Sequence, residues 1–161
     1  MNFLILGKPN VGKTSFFNLI SHNNSNIIHK TIGTTRDWHI ANLVNNQNIK
    51  IYDTPGIIEN EKTFKQSISS FINDIDIFLF IINFKDDSYN RDKELINFFR
   101  KFNKEIILIV NKDDNFYQNK NLSDFGIKNI FYISCSHKLG INEFLNYMNK
   151  YEVKNNRIND I

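Results

Sequence analysis

One cysteine, two prolines and six glycines are spread over 161 residues. The lone Cys135 excludes an internal disulfide framework and a cysteine-based zinc cluster, and it fits a reducing, cytoplasmic compartment. So few prolines and glycines, beside 41% hydrophobic and 23% charged residues, exclude a collagen-like, linker-dominated or disordered chain. No apolar run is long: the best, Ile77 to Ile82, is far too short to cross a bilayer. Met1-Asn2-Phe3 lacks the basic start of a signal peptide, so no membrane span and no secretory export are expected. Charge of one sign is also scarce. Twenty basic against seventeen acidic side chains leave +3, which is compatible with a polyanionic partner and selects none. The length fits one domain with one core.

What is present alternates between two periods. Phe3 to Leu6 reads as a strand stopped by Gly7, and Thr14 to Ile20 as a helix. Ser21 to Arg36 is polar and aperiodic and reads as a long loop. Trp38–Val44 and Asn48–Tyr52 read as an antiparallel hairpin, although Asn45-Asn46-Gln47 lacks the glycine of the strongest turn signal. A second irregular stretch from Asp53 precedes a helix over Thr63–Asn73 and a buried strand over Asp76–Asn83. Arg91–Lys101 is a helix, Glu105–Val110 and Asn129–Ser134 are strands, and Ile141–Tyr151 is an amphipathic helix with a polar tail that frays. Helices alternating with continuous apolar strands imply an α/β fold of three layers, with a mostly parallel six-stranded sheet and one antiparallel hairpin pair. The expected domain is 1–151, with 152–161 a flexible tail or the start of an interdomain linker.

Gly7-Lys8-Pro9-Asn10-Val11-Gly12-Lys13-Thr14 lies between the first strand and helix and fits the phosphate-binding P-loop pattern. Its chemistry needs those residue types. Gly7 and Gly12 let backbone N–H groups reach phosphate oxygens, with Asn10, Val11 and Ser15 completing the cradle at the helix N-terminus. Lys13 neutralises charge and Thr14 offers a hydroxyl to Mg2+. Asp53-Thr54-Pro55-Gly56 ends a strand 39 positions after Thr14 (53 minus 14), where Asp53 can reach the magnesium and the Gly56 N–H the terminal phosphate. Asn111-Lys112-Asp113-Asp114 follows another strand. A carboxylate at Asp114 can accept from the ring N–H and exocyclic amine of guanine, a donor pair that adenine lacks, while Asn111 and the Lys112 stem shape the pocket. Ser134-Cys135-Ser136 ends the last strand, in a turn that can offer a backbone N–H to the guanine oxygen. A catalytic Cys135 has no base partner in the pattern.

These motifs in this order resemble the G domain of translation-factor-related GTPases over residues 2 to about 151. Ile32-Gly33-Thr34-Thr35-Arg36-Asp37 resembles the first switch of the family containing Der (EngA), Era and the tRNA-modification GTPase MnmE. Asp92 behind Asp86-Asp87-Ser88, together with Ser134 through Ile141, is most similar to the first G domain of Der. Ile32 in place of proline, Asn83 in place of aspartate, and Asp-Thr-Pro-Gly in place of Asp-Thr-Gly-Gly depart from that pattern. The resemblance implies Thr35, or Thr34 beside it, as the switch residue that completes magnesium coordination, and Asn10 as a ligand of K+ beside the phosphates. It also implies assembly of the large ribosomal subunit as the output, with that subunit or rRNA as partner, in a monomer or transient dimer. A tRNA-modification or Era-like domain would carry the same site chemistry, and a GTP-gated module with negligible hydrolysis is the third alternative.

One absence bears on rate. The residue after Gly56 is Ile57, where Ras-like enzymes have a water-orienting glutamine. The sequence therefore predicts a GTP hydrolase of low intrinsic rate that binds GTP and GDP with Mg2+. Lys13, Thr35, Gly56 and Asn10 would stabilise the transferring phosphate, and the switches would run over roughly 23 to 38 and 54 to 63.

Overall fold

The computed structural model describes residues 1–21, 27–30, 37–53 and 71–159. Among these residues seven strands form one sheet: β1 (Asn2–Gly7), β2 (Ile27–Lys30), β3 (Asp37–Leu43), β4 (Asn46–Asp53), β5 (Ile77–Asn83), β6 (Glu105–Asn111) and β7 (Ile130–Tyr132), in the order β2-β3-β4-β1-β5-β6-β7. β1 pairs in parallel with β4 and β5, and β5, β6 and β7 continue in parallel. β3 is antiparallel to both β4 and β2. Among the described residues the helices are α1 (Lys13–Ile20), α2 (Asn90–Phe99) and α3 (Ile141–Asn159).

Strict alternation along the central strands builds two cores. Phe3 and Ile5 of β1, Leu79 and Ile81 of β5, and Ile107 and Ile109 of β6 face one side, against Phe16, Phe17 and Ile20 of α1 and Phe144 and Met148 of α3. Leu4, Leu6, Phe78, Phe80, Leu108 and Val110 face the other, against Leu95, Ile96, Phe98 and Phe99 of α2. A sheet buried on both faces needs apolar residues at every position, which is why these strands read as unbroken runs. Aromatic rings supply much of the second core, with Phe78 and Phe99 meeting edge to face at 5.6 Å.

The six expected strands are all present, and β2 is the addition. Its Ile27-Ile28-His29-Lys30 is too short to show a period, and among the described residues it pairs with β3 alone, so register with β3 rather than pattern defines it. The hairpin turn works without glycine because Asn45 takes the left-handed conformation, φ 60. α3 continues past the expected end at Tyr151 to Asn159, since Glu152 to Asn159 contains no glycine or proline to stop it. The helix expected over Thr63–Asn73 lies outside the described residues as far as position 70, and Ile72–Asp74 forms a 3-10 turn. No helix among the described residues is long and apolar enough to cross a membrane.

β1 lies between β4 and β5, so the chain changes direction across the sheet at its carboxyl end. In open α/β sheets that switch point is where ligands bind.

Candidate functional site

The loop from Gly7 to Lys13 sits at that point. Gly7 has φ 151, and a Cβ there would lie 2.6 Å from the Ile81 carbonyl oxygen of β5. At Gly12, φ 97, a Cβ would collide with the side-chain amide of Asn111. Neither position admits a larger residue, so the glycines serve packing of the loop as well as approach to an anion. Val11 is buried and pins the loop to the core. The Lys13 Nζ donates to the carbonyls of Gly7 at 3.0 Å and Lys8 at 2.7 Å, which spans the loop from inside. Burial lowers its pKa, with the Asp53 charge acting against that. Thr14 and Ser15 are exposed at the start of α1, where the helix N-terminus favours an anion.

Asp53 ends β4 opposite Ile5 of β1 and is 4% exposed. Its Oδ1 has no hydrogen-bond partner among the described residues, and its Oδ2 is 3.5 Å from the Thr14 Oγ1. Burial pushes the carboxyl up to about 6, against the pull of His39, Lys13 and Thr14. A buried carboxylate with an orphaned oxygen beside a hydroxyl has the oxygen chemistry a divalent cation requires, so Thr14 and Asp53 fit Mg2+. Thr34, Thr35 and Gly56 lie outside the described residues.

Asn111 ties three loops together. From the end of β6 its Nδ2 donates to the Val11 carbonyl at 2.8 Å, and its Oδ1 accepts from the Cys135 N–H at 3.1 Å. That N–H is thereby engaged with Asn111. Lys112, in the left-handed conformation at φ 68, donates from Nζ to the Asn10 carbonyl at 2.7 Å. Asn10 is itself left-handed, φ 64, and exposed.

Asp114 is held on both oxygens. Oδ2 accepts from Lys85 Nζ at 2.6 Å, while Oδ1 accepts from the Ser134 hydroxyl at 2.7 Å and the Ser136 hydroxyl at 3.3 Å. These contacts, Lys85 first and Ser134 next, hold the carboxyl down at about 2. The adjacent Asp113 is fully buried and turns the other way, accepting the Tyr117 and Gln118 N–H groups at 2.9 Å and 2.8 Å. One carboxylate thus caps the turn and leaves the other for a ligand. The Cys135 thiol is pushed up to about 11 by burial, with Asn111 acting against that, so it is neutral at physiological pH.

The sequence reading missed the β5–α2 connection. Lys85 reaches the base loop at Asp114, and the next residue, Asp86, accepts from Lys8 of the phosphate loop at 2.8 Å. Asp92 in the first turn of α2 also faces Lys8, at 3.1 Å. Asp92 was visible only as part of a family resemblance, and Lys85 carried no signal, because neither lies in a motif.

Fold and site together define a P-loop GTPase domain. A sequence profile of the family described as 50S ribosome-binding GTPase matches residues 2–112. The chain is 35% identical over 153 residues to GTPase Der of Nitratiruptor sp., covering 91% of this chain and 33% of that protein. It is likewise 35% identical over 153 residues to GTPase Der of Malacoplasma penetrans, covering 88% and 34%. The chain spans about a third of the length of the curated relatives it matches. Among solved structures, a GDP-bound mutant of S. thermophilus NFeoB superposes with a TM-score of 0.71 at 19% identity, over 91% of this chain and 60% of that one. The apo cytosolic domain of the T. maritima FeoB iron transporter gives 0.70 at 17%, over 94% and 63%. At that identity the likeness is one of fold. The chain belongs to the 50S ribosome-binding GTPase family, and the relatives place it beside the G domains of Der.

Proposed function

We propose that this domain binds GTP and GDP with Mg2+ and hydrolyses GTP slowly as a switch in assembly of the large ribosomal subunit. The observation that supports it most is the pair of contacts made by Asn111, to Val11 and to Cys135, which joins a phosphate loop and a base-reading loop into one unit. In this reading the N–H groups of the Gly7–Ser15 loop and the Lys13 ammonium take the phosphates. Thr14, Thr35 and Asp53, the last through water, hold Mg2+, which when bound neutralises charge on the phosphates. Asp114 accepts the two guanine donors, with Asn111, Lys112 and Ser134 to Ser136 around the base. The Gly56 N–H meets the terminal phosphate. Ile57 offers no hydrogen bond to an attacking water, so turnover is slow and gains from a cation at Asn10, for which we assign K+.

Two segments, roughly 23 to 38 and 54 to 63, would change order with the terminal phosphate. Residues 1–151 would form the G domain, with 152–161 a C-terminal tail or the start of an interdomain linker. Titration of the metal-free protein with a fluorescent GDP tests the reading: GTP and GDP should compete and ATP should not. Failure of GDP to bind with Mg2+ present rejects it. The ribosomal part is tested separately by co-sedimentation with purified large subunits, which should depend on a non-hydrolysable GTP analogue and fail with GDP.

A further inference from the structure

Asp92 carries a buried charge that the nucleotide chemistry above does not use. Its side chain is 0% exposed, and neither carboxylate oxygen has a well-aligned hydrogen bond. Among the described residues its ion-pair partner is Lys8, whose Nζ lies 3.1 Å from Oδ2. Burial raises the carboxyl, Lys8 works the other way, and the nearby Asp86 charge adds to the rise. A buried carboxylate must be paired to remain charged, so Lys8 is not free to turn outward. The Lys8 ammonium is correspondingly committed. Burial disfavours its charge, but the contacts with Asp86 and Asp92 outweigh that and leave its pKa raised.

Lys8 belongs to the phosphate loop, and its main chain matters as much as its side chain. Its carbonyl accepts the shorter of the two hydrogen bonds from Lys13 Nζ, 2.7 Å against 3.0 Å at the Gly7 carbonyl. A continuous set of contacts therefore runs from the first turn of α2 through Asp92, the Lys8 side chain and the Lys8 carbonyl to the Lys13 ammonium. None of these residues touches the base loop, which is held by Lys85, Ser134 and Asn111 instead.

We propose that Asp92 and Lys8 are positioning residues for phosphate binding: their ion pair, buried on the Asp92 side, fixes the Lys8 peptide, so that its carbonyl aims the Lys13 ammonium at the phosphates. The proposal rests on the reading that this loop binds a guanine nucleotide. It predicts a separation that a purely structural ion pair would not produce, in which affinity for the phosphates falls while affinity for guanosine stays.

The test compares GDP and guanosine affinities of the full chain by competition against a fluorescent GDP, with thermal unfolding measured on each variant. Asp92→Asn should weaken GDP about tenfold, since a charge-assisted contact is lost, and should leave guanosine within about twofold. Lys8→Arg keeps the charge and should retain most of the wild-type GDP affinity. Asp92→Asn leaves Lys8 paired with Asp86 but puts an amide at a fully buried position and can impair folding, so the double variant Lys8→Met/Asp92→Leu replaces the pair with apolar side chains of similar volume, an exchange that buried ion pairs tolerate. It should melt close to wild type and still show the weakened GDP with unchanged guanosine. A folded double variant with the wild-type ratio of GDP to guanosine affinity overturns the proposal, as does a parallel fall in both affinities. Wild-type protein that binds neither ligand would instead overturn the nucleotide reading itself.

Discussion

Lys85 Nζ lies 2.6 Å from Asp114 Oδ2, which places a cation from the β5–α2 connection on the carboxylate we propose as the reader of guanine. Ser134 holds the other oxygen at 2.7 Å. Each oxygen of a carboxylate has two lone-pair sites, so Oδ2 can still accept from a ligand, and a ligand donor at Oδ1 would replace the longer contact, that of Ser136 at 3.3 Å, while Lys85 and Ser134 fix the carboxylate plane. The Lys85 side chain is 60% exposed, so its contact orients Asp114 and adds little to stability.

Asp114→Asn should therefore change which base is bound without unfolding the domain. The amide replaces one acceptor with a donor, which opposes the guanine amine and suits the carbonyl of xanthine. GDP affinity should fall on the order of a hundredfold, with xanthosine diphosphate now preferred in competition titrations. Unchanged GDP affinity would remove Asp114 from its role.

Asn111→Ala should cost more than its position in a surface motif suggests. Its amide is 2% exposed and satisfies the Val11 carbonyl and the Cys135 N–H. Leaving both unpaired in a buried site should destabilise the nucleotide-free protein by about 2–4 kcal/mol, read from urea unfolding. Gly12→Ala, which drives a methyl into the same amide, should be comparably damaging.

Asp53 should make the metal-free protein more stable in mild acid. Its carboxyl is pushed up to about 6 in the folded state from 3.8, so folding favours the protonated form. That stabilisation is complete below pH 4 and is lost as the pH rises through 6. It amounts to about 2–3 kcal/mol. Asp53→Asn should flatten the difference in unfolding free energy between pH 4 and 7. Mg2+ with GDP should suppress it in the wild type.

Turnover should respond to the identity of the monovalent cation. At matched ionic strength, hydrolysis in KCl should exceed that in NaCl, and Asn10→Ala should abolish the difference while GDP still binds. An arginine finger at the corresponding charge contributes about 10³ to 10⁵ in rate, and potassium need supply only part of that. Equal formation of a GDP–aluminium fluoride complex in both salts would exclude a potassium site at Asn10.

Cys135 should alkylate slowly in the folded domain. With its thiol pushed up to about 11, little thiolate exists at pH 8, and denaturation should accelerate labelling by iodoacetamide several-fold. Cys135→Ala should preserve nucleotide binding, because the contact with Asn111 is made by the main-chain N–H.

Much of this site was legible because its residues occupy contiguous motifs at strand ends. Gly7 to Thr14, Asp53 and Asn111 to Asp114 could be placed from order and period alone, and the sheet brings them to one end. The support behind them was not legible. Lys85 and Asp114 are 29 positions apart, and Lys8 meets Asp92 across two elements, so only the packed fold reveals the pairs. Asp113 drew no role from its motif, yet it is buried and caps the following turn through two N–H groups. β2 was missed because an edge strand of four residues needs a partner, not a period, to exist. The hairpin turn was found with the wrong reason to doubt it, since Asn45 supplies the left-handed residue that glycine usually provides.

The placement of β1 also sets a timetable. Phe3 pairs with Ile51 of β4 and with Ile77 of β5, partners that lie 48 and 74 residues later in the chain (51 minus 3 and 77 minus 3). Closing loops of that size costs entropy before any pairing returns it, so β1 is seated late in folding. During synthesis the phosphate loop leaves the ribosome with no sheet to join. Until β5 follows, Gly7 has no Ile81 carbonyl to pack against, and until β6 follows, Val11 has no Asn111. A nascent chain truncated before Asn111 should therefore have no competent nucleotide pocket, whatever its first fourteen residues contain.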